Sequence, residues 1–454
     1  MTDAARMRIL SVTLAERPVA MRLPFQFGST EVRHTAEIYC EILVETGGVR
    51  VAGCSAQLMV PRWFDKRPEL SNADTVDGLR QSSAVAARLA PELRGSVAAV
   101  SADLRAGVLG DLGDGMPALA AGFGPALIEM ALIDAVCRAE RLPFWRAARE
   151  DLFGLSAHLP ADLSAADFVA ALRGISAPDR LVLRHTVGFD APLRQRPEDA
   201  PQDDLPVTLS EVAARTGIEA WKIKLKGDPG ADAARLRDIQ GLLRGRMSGG
   251  VTLDANEQYV PDAFRELLDR VAAPDLAELA GHIRFYEQPF DRDIALRTRN
   301  DFGAKLVIDE SDDGEDSFAR ALDLGWSGTS IKSCKGVLRA LLNMARARTT
   351  DALLSGEDLT CQPGLCWTQD SAMMAACGVR DVERNGHHFA GGLQGAPAGE
   401  AARLRQRHPD IFDGSGDGIR LRIRDGAVGI ASLDQPGFGA SEAVVTGTGT
   451  DADG

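Results

Sequence analysis

Two hydrophobic periodicities divide the chain. In Ile38 to Glu45, the residues Ile38, Cys40, Ile42 and Val44 fall on one face, and Tyr39, Glu41, Leu43 and Glu45 on the other. Period-two alternation of this kind predicts a half-buried antiparallel strand. Thr46-Gly47-Gly48 turns the chain into a second strand, Val49 to Ala56, and Arg8 to Ala15 predicts an earlier strand of the same sheet. Residues 74–148 change to helical spacing. It is clearest over Pro125 to Arg141, with proline near the start and Leu127, Met130, Ala131 and Asp134 along one stripe. Strands followed by helices predict an α+β domain over residues 1–150.

From about residue 155, short apolar runs alternate with helical stretches. The runs are Leu181–His185, Ala220–Leu225, Val251–Leu253, Ile283–Tyr286, Leu306–Ile308, Thr329–Ile331 and Ala352–Leu354. Helices are predicted between them, for example Asp228 to Leu243, with Asp228 as N-cap and Pro229 in the first turn, and Pro261 to Ala272. Repeated strand–helix units predict parallel strands, and this many predict an α/β fold of the TIM-like barrel class over residues 151–432. Arg194 to Pro206, rich in proline and acid, has no periodicity and reads as a loop. The Gly-, Thr- and Asp-rich tail, 442–454, reads as disordered.

Composition narrows the function. The chain has 454 residues and a net charge of −14, which leaves no basic face for nucleic acid. No uncharged apolar run reaches the roughly 18 residues of a membrane span. Met1 to Leu10 carries Asp3, Arg6 and Arg8 and does not read as a signal peptide. The seven cysteines are scattered without CxxC spacing. This predicts buried thiols in a reducing cytoplasm rather than disulfides or zinc, with Cys361 and Cys366 as loop or packing residues.

The candidate chemistry lies where the apolar runs end. Lys222 and Lys224 close one run, Asp254 the next, then Glu287, then Asp309 and Glu310, then Lys332, and Glu357 follows the last. They recur roughly every 22–33 residues, one strand–helix unit of a barrel, so all would face one mouth at the C-terminal strand ends. Three carboxylates gathered without a cation would repel strongly. An all-oxygen set calls for a hard divalent cation such as Mg²⁺, and the absence of His and Cys there argues against zinc.

Lys222-Ile-Lys224, Asp254-Ala-Asn256, Glu287-Gln288-Pro289, Asp309-Glu310-Ser311 and Ile331-Lys332, in this order, resemble the enolase superfamily in its mandelate racemase/muconate lactonizing branch. The resemblance extends along nearly the whole chain. Met130 to Asp134 with Leu142-Pro143-Phe144 is similar to the helix joining that family's capping domain to its barrel. Gln435-Pro-Gly-Phe-Gly439 is similar to its return segment, here 433–441. The resemblance implies a (β/α)7β barrel under an α+β cap, and Mg²⁺ on Asp254, Glu287 and Asp309. It makes Lys224 the base on one face of a small-molecule carboxylate, Lys332 the acid/base on the other, and Lys222 the support of the base and the substrate carboxylate. It also implies a homo-oligomer. Two residues apart on a strand, Lys222 and Lys224 point the same way. Asn256 shares a face with Asp254 and is a candidate to hold these groups in place, while Glu310 would contact a lysine or replace Asp309 as ligand.

Departures from the family pattern leave the reaction open. Ser333-Cys334-Lys335-Gly336 lacks one glycine of the usual turn, and Lys335 is a rival to Lys332. Arg384 to Phe389, with His387 and His388, lacks the Asp-x-Asp pair that holds a dipeptide ammonium. Glu357-Asp358 sits where some members place a carboxylate. Leu23–Phe27 and Val60–Phe64 are similar to the two loops that close over substrate, and Phe25, Phe27, Trp63 and Phe64 suit an apolar distal group. The chemistry expected is removal of a carboxylate's α-proton, by a racemase, epimerase or cycloisomerase, with a dehydratase third. A catalytically silent metal-binding barrel and a Schiff-base lysine enzyme are the rivals from other classes.

Overall fold

The structure is a computed structural model that describes residues 4–28, 30–176, 179–358, 361–383, 386–414 and 418–439. The predicted disordered tail lies outside these residues. The chain opens with three long antiparallel strands, Met7–Phe27, Thr30–Thr46 and Val49–Leu58, edged by a short fourth at Arg94–Gly95. Ile38, Cys40, Ile42 and Val44 are all buried, as their alternation requires. The first strand is longer than the sequence suggested. Leu23–Phe27, expected as a loop, is the end of that strand, and Phe25 pairs with Val32 after a register shift at Ala20. Val32 and Thr30, β-branched residues on the facing strand, carry the pairing past Pro24.

Helix Phe123–Ala139 packs across the inner face of this sheet, and the closest approach is at Gly53. A Cβ there would strike the Ala131 carbonyl oxygen and lie 2.5 Å from the Ala135 nitrogen. Asp134 on the same helix is wholly buried. It accepts from Cys54 N at 3.0 Å, Phe438 N at 2.7 Å and Arg138 Nε at 2.7 Å. One carboxylate thus ties the cap sheet to Gln435–Gly439, where Phe438 lies 4.5 Å from Phe144 between ring centroids. The helical stretch Ala118–Ala139 is long and apolar enough to cross a membrane, but its apolar window is entirely buried inside the fold.

Eight parallel strands form the barrel: Arg180–Val187, Ala220–Lys224, Gly250–Asp254, Ile283–Glu287, Leu306–Ile308, Gly328–Ile331, Leu353–Gly356 and Val382–Glu383. The eighth closes on the first through Val382 and Leu183, and an antiparallel strand, Ala427–Gly429, adds to the first. Helices include Pro229–Leu243, capped by Asp228, Pro261–Val271, Val337–Thr350 and Leu365–Cys377. The fold is therefore the expected TIM-like barrel with an α+β cap. One expectation is corrected. Cys361 and Cys366 are joined as a disulfide, their Cα atoms 5.9 Å apart. The loop brings them together where spacing alone gave no sign.

A second buried carboxylate links the cap to the barrel's C-terminal loops. Glu37 accepts from Gln362, and Arg17 beside it donates to Tyr39 at 3.1 Å and Glu400 at 3.0 Å. Burial pushes the Glu37 carboxyl from 4.5 up to about 7, against the pull of Gln362 and Arg17. The folded protein therefore holds a proton that the unfolded chain releases, so stability falls as pH rises between these values. The slope from one such group is at most about 1.4 kcal/mol per pH unit. Glu37→Gln should abolish it, as read by urea melts at several pH values across that window. An unchanged slope would place the titration elsewhere. Gly53→Ala should cost about 1–3 kcal/mol by overpacking, read by thermal circular dichroism.

Candidate active site

Strand register places the charged side chains. Lys224 pairs with Asp254, and Asp254 with Glu287, on three neighbouring strands. Asp309 and Lys332 follow their strands directly, while Glu357 lies just past the seventh and Glu383 ends the eighth. Odd-numbered spacing along each strand would have turned these groups outward.

The centre of the cluster is an ammonium. Lys222 Nζ lies 2.9 Å from Asp254, 2.9 Å from Glu287, 2.8 Å from Glu357 and 3.1 Å from Glu383. Burial alone would lower its pKa, but the four carboxylates outweigh burial and hold it well above the usual lysine value. Lys224 Nζ donates to Asp254 Oδ2 at 2.5 Å and to Asn256 Oδ1 at 2.8 Å. Lys332 Nζ donates to Asp309 Oδ1 at 2.6 Å and to Glu357 Oε2 at 2.9 Å, 5.0 Å from the centre of the Trp63 ring. Its pKa is also raised, because Asp309 and Glu357 outweigh burial.

A small cavity, about 20 Å³, opens among these groups. Lys222, Lys224 and Lys332 line it from the barrel, and Phe25, Phe27, Val60 and Trp63 line it from the cap. Lys335 does not line it. Its amine holds the Asp309 carbonyl at 2.7 Å and Ser330 Oγ at 3.0 Å, so it braces the strand ends beneath. Glu310 turns away from the cavity toward Lys66, 2.9 Å, and accepts from Asn256 Nδ2 at 3.2 Å. Asn256 therefore links Lys224 to Glu310, with its own backbone in the left-handed region at φ 42°. Asparagine tolerates that conformation better than most residues.

The carboxylates fit a divalent cation. Oxygens of Glu287, Asp309 and Glu357 lie within 4.8 Å of one another, and Glu287 Oε2 is buried without a hydrogen-bond partner. Burial and the charges of Asp254 and Glu357 push the Glu287 carboxyl well above its usual value. A hard cation would relieve that repulsion. Asp254 stands apart from this triple. Its Oδ2 is held by Lys222 and Lys224, and its Oδ1 accepts Asn256 N at 2.9 Å.

Four participants gave little sign in the sequence. Glu383 holds Lys222 and Thr186 from a strand only two residues long. Arg184, inside the first run, reaches Glu357 at 3.2 Å. Lys66 sits in the cap loop after Trp63. Asp370 accepts from Ser333, next to Lys332. His388 stacks edge-on against His185 with centroids 4.9 Å apart, and Phe389 lies 4.7 Å from Phe25. The side chain of His387 lies outside the described residues.

No family model matches the chain, and no curated relative is found by sequence. Solved structures do match. A dipeptide epimerase from Enterococcus faecalis, complexed with Mg and L-Leu-L-Tyr, superposes with TM-score 0.63 at 15% identity, covering 96% of this chain and 100% of that one. A muconate lactonizing enzyme from Pseudomonas fluorescens, complexed with muconolactone, gives 0.61 at 15% identity, covering 96% of each chain. An enolase superfamily member from Roseovarius nubinhibens, complexed with magnesium, gives 0.62 at 19% identity, covering 96% of each. The chain shares the capped-barrel fold of these enolase-superfamily proteins.

Calorimetric titration with Mg²⁺ should show one site. Glu287→Gln and Glu357→Gln should each weaken it by roughly tenfold or more, because an octahedral hard cation has few protein ligands to lose. Asp254→Asn separates two ligand sets. A loss as large as that of Glu357→Gln makes Asp254 a ligand, and a small loss leaves it as the partner of the lysines.

Proposed function

We propose that the chain is a Mg²⁺-dependent enzyme that removes the α-proton of a carboxylate substrate, acting as a racemase or epimerase, or as a cycloisomerase. The observation that carries this reading is the pair of buried amines, Lys224 and Lys332, lining one cavity with carboxylates between them. Neither a silent metal-binding barrel nor a Schiff-base enzyme needs two lysines set against the same carboxylate cluster.

Mg²⁺ held by Glu287, Asp309 and Glu357 or Asp254 would act as a Lewis acid toward the substrate carboxylate and the charge that grows as the α-proton leaves. The chain's own residues do the rest. Lys222 remains an ammonium among its carboxylates and adds fixed positive charge beside the substrate. Lys224 takes the α-proton on its face while Asn256 aims the nitrogen. Lys332 is kept proton-loaded by Asp309 and Glu357, which suits it to deliver a proton to the other face. Phe25, Phe27, Val60 and Trp63 exclude water from the cavity and favour an apolar distal group. Glu383 is occupied by Lys222 and Thr186, so it does not serve as the anchor for a dipeptide ammonium.

A syn elimination of water would use the same lysines and is the next reading. A homo-oligomer with an even number of subunits belongs to the same proposal, and light scattering at micromolar concentration tests it. The chemistry is tested by incubating a carboxylate library in D₂O and scoring α-deuterium by mass spectrometry. For a racemase, Lys224→Ala should abolish exchange of one enantiomer and Lys332→Ala that of the other, each by roughly a hundredfold to ten-thousandfold. Lys335→Met should keep exchange in both. A protein in which only Lys224 matters is a one-base enzyme, and cycloisomerisation or elimination replaces racemisation. Exchange in neither enantiomer for any carboxylate, with Mg²⁺ bound, would defeat the proposal.

A further inference from the structure

A hollow far larger than the cavity beneath the cap lies at the opposite face of the barrel. It is open to solvent, sits where the fourth, fifth and seventh strands begin at Ile283, Leu306 and Leu353, and holds about 1120 Å³. That is just above the usual size of small-molecule sites. Its charge is also opposite to that of the chain as a whole. Arg284, Lys305, Arg348 and Arg380 line it, against Asp351 as the one lining carboxylate. Asp381 lies behind Arg284 but is shared, since both Arg184 and Arg284 donate to it.

The fold engages two of these cations and not the other two. Arg348, in the last turn of Val337–Thr350, donates to the Ala171 carbonyl, and Arg284 is paired with Asp381. Lys305, before the fifth strand, and Arg380, before the eighth, have no such fold partner among the described residues. Lys305 and Arg380 are exposed and form no ion pair among the described residues. Arg380 lies close enough to Arg284 for the two charges to repel. In a protein of net charge −14, nothing in the general surface compels four cations around one hollow. The rest of the lining is mostly apolar and includes Phe302, Ile283 and Leu268, with the Arg265 guanidinium 4.3 Å from the centre of the Phe302 ring. Guanidinium groups match phosphate oxygens bidentately, and an apolar wall takes a ring or alkyl body.

We propose that this cavity is a second binding site, distinct from the carboxylate cluster, for a small phosphate-bearing polyanion with an apolar or aromatic body, the chemical class of a nucleoside di- or triphosphate. The anionic end lies toward Arg284, Lys305 and Arg380, and the body lies along Phe302. Neither the metal nor the lysine pair beneath the cap takes part.

The test is isothermal titration of the full chain in Mg²⁺-free buffer with ATP, pyrophosphate and adenosine. ATP should bind, pyrophosphate more weakly, and adenosine weakest. Lys305→Glu and Arg380→Glu, both surface changes, should each weaken ATP by roughly tenfold or more, the scale of one lost charge-assisted contact. Should either fail to fold, Lys305→Gln and Arg380→Gln give the same reading. Lys332→Ala, in the other site, should leave ATP binding unchanged. Absence of binding by both ATP and pyrophosphate at millimolar concentration overturns the site. So does ATP binding that survives both charge reversals, or that is lost with Lys332→Ala. Adenosine binding as tightly as ATP removes the anion requirement, and pyrophosphate equalling ATP removes the apolar body.

Discussion

The structure depends on one interaction above the others, the burial of the Lys222 ammonium among Asp254, Glu287, Glu357 and Glu383. Removing an ion from water costs several kcal/mol in a real protein, and only close partners offset it. Here the partners come from the third, fourth, seventh and eighth strands. None of them is a sequence neighbour of Lys222, so the cluster is satisfied only when the barrel is closed and in register. A slip of one residue in any of these strands would turn its carboxylate to the helix layer and leave a charge buried without a partner. The polar centre thus specifies the pairing of strands that are otherwise nearly uniform apolar runs.

The same arrangement connects cap to chemistry. Lys66, in the cap loop after Trp63, reaches Glu310 at 2.9 Å and the Asn256 carbonyl at 3.2 Å. Asn256 in turn holds the amine of Lys224. The loop that roofs the cavity and the amine that works in it therefore share a short chain of hydrogen bonds. Asn256, Glu257 and Gln288 all have positive φ, at 42°, 72° and 37°. Three such residues just past adjacent strands are backbone strain stored at the site and held by the surrounding contacts.

Much of this was legible in the sequence, for reasons of periodicity. Alternation in Ile38–Glu45 survives because that sheet packs one face on helix Phe123–Ala139, while on the other Glu41, Leu43 and Glu45 stay half-buried and Tyr39 clusters with Leu365 and Cys366. The barrel strands show as apolar runs because both faces are covered, and the charges closing them stand out against that background. What was missed lacks such contrast. Glu383 ends a strand of two residues, too short for any pattern. Arg184 is a charge within a run, where alternation reads it as one more strand residue. Lys66 and the Cys361–Cys366 pair sit in loops, whose contacts depend on the path of the backbone rather than on residue type. Leu23–Phe27 was placed in a loop by its similarity to the loops that close over substrate, yet it extends the first strand, with Pro24 at the register shift, where proline costs least.

The two faces of the barrel carry opposite chemistry in different surroundings. The helices screen the sides, so the buried charges of the C-terminal face meet a low-dielectric neighbourhood and act strongly, while Lys305 and Arg380 at the N-terminal face are exposed to water. At the C-terminal face, buried lysines face the carboxylates, Lys222 being shared by four of them. At the N-terminal face, Asp381 already serves Arg184 and Arg284, and no further described carboxylate pairs with Lys305 or Arg380. Arg184 joins the two regions, since its guanidinium touches Glu357 above and Asp381 below.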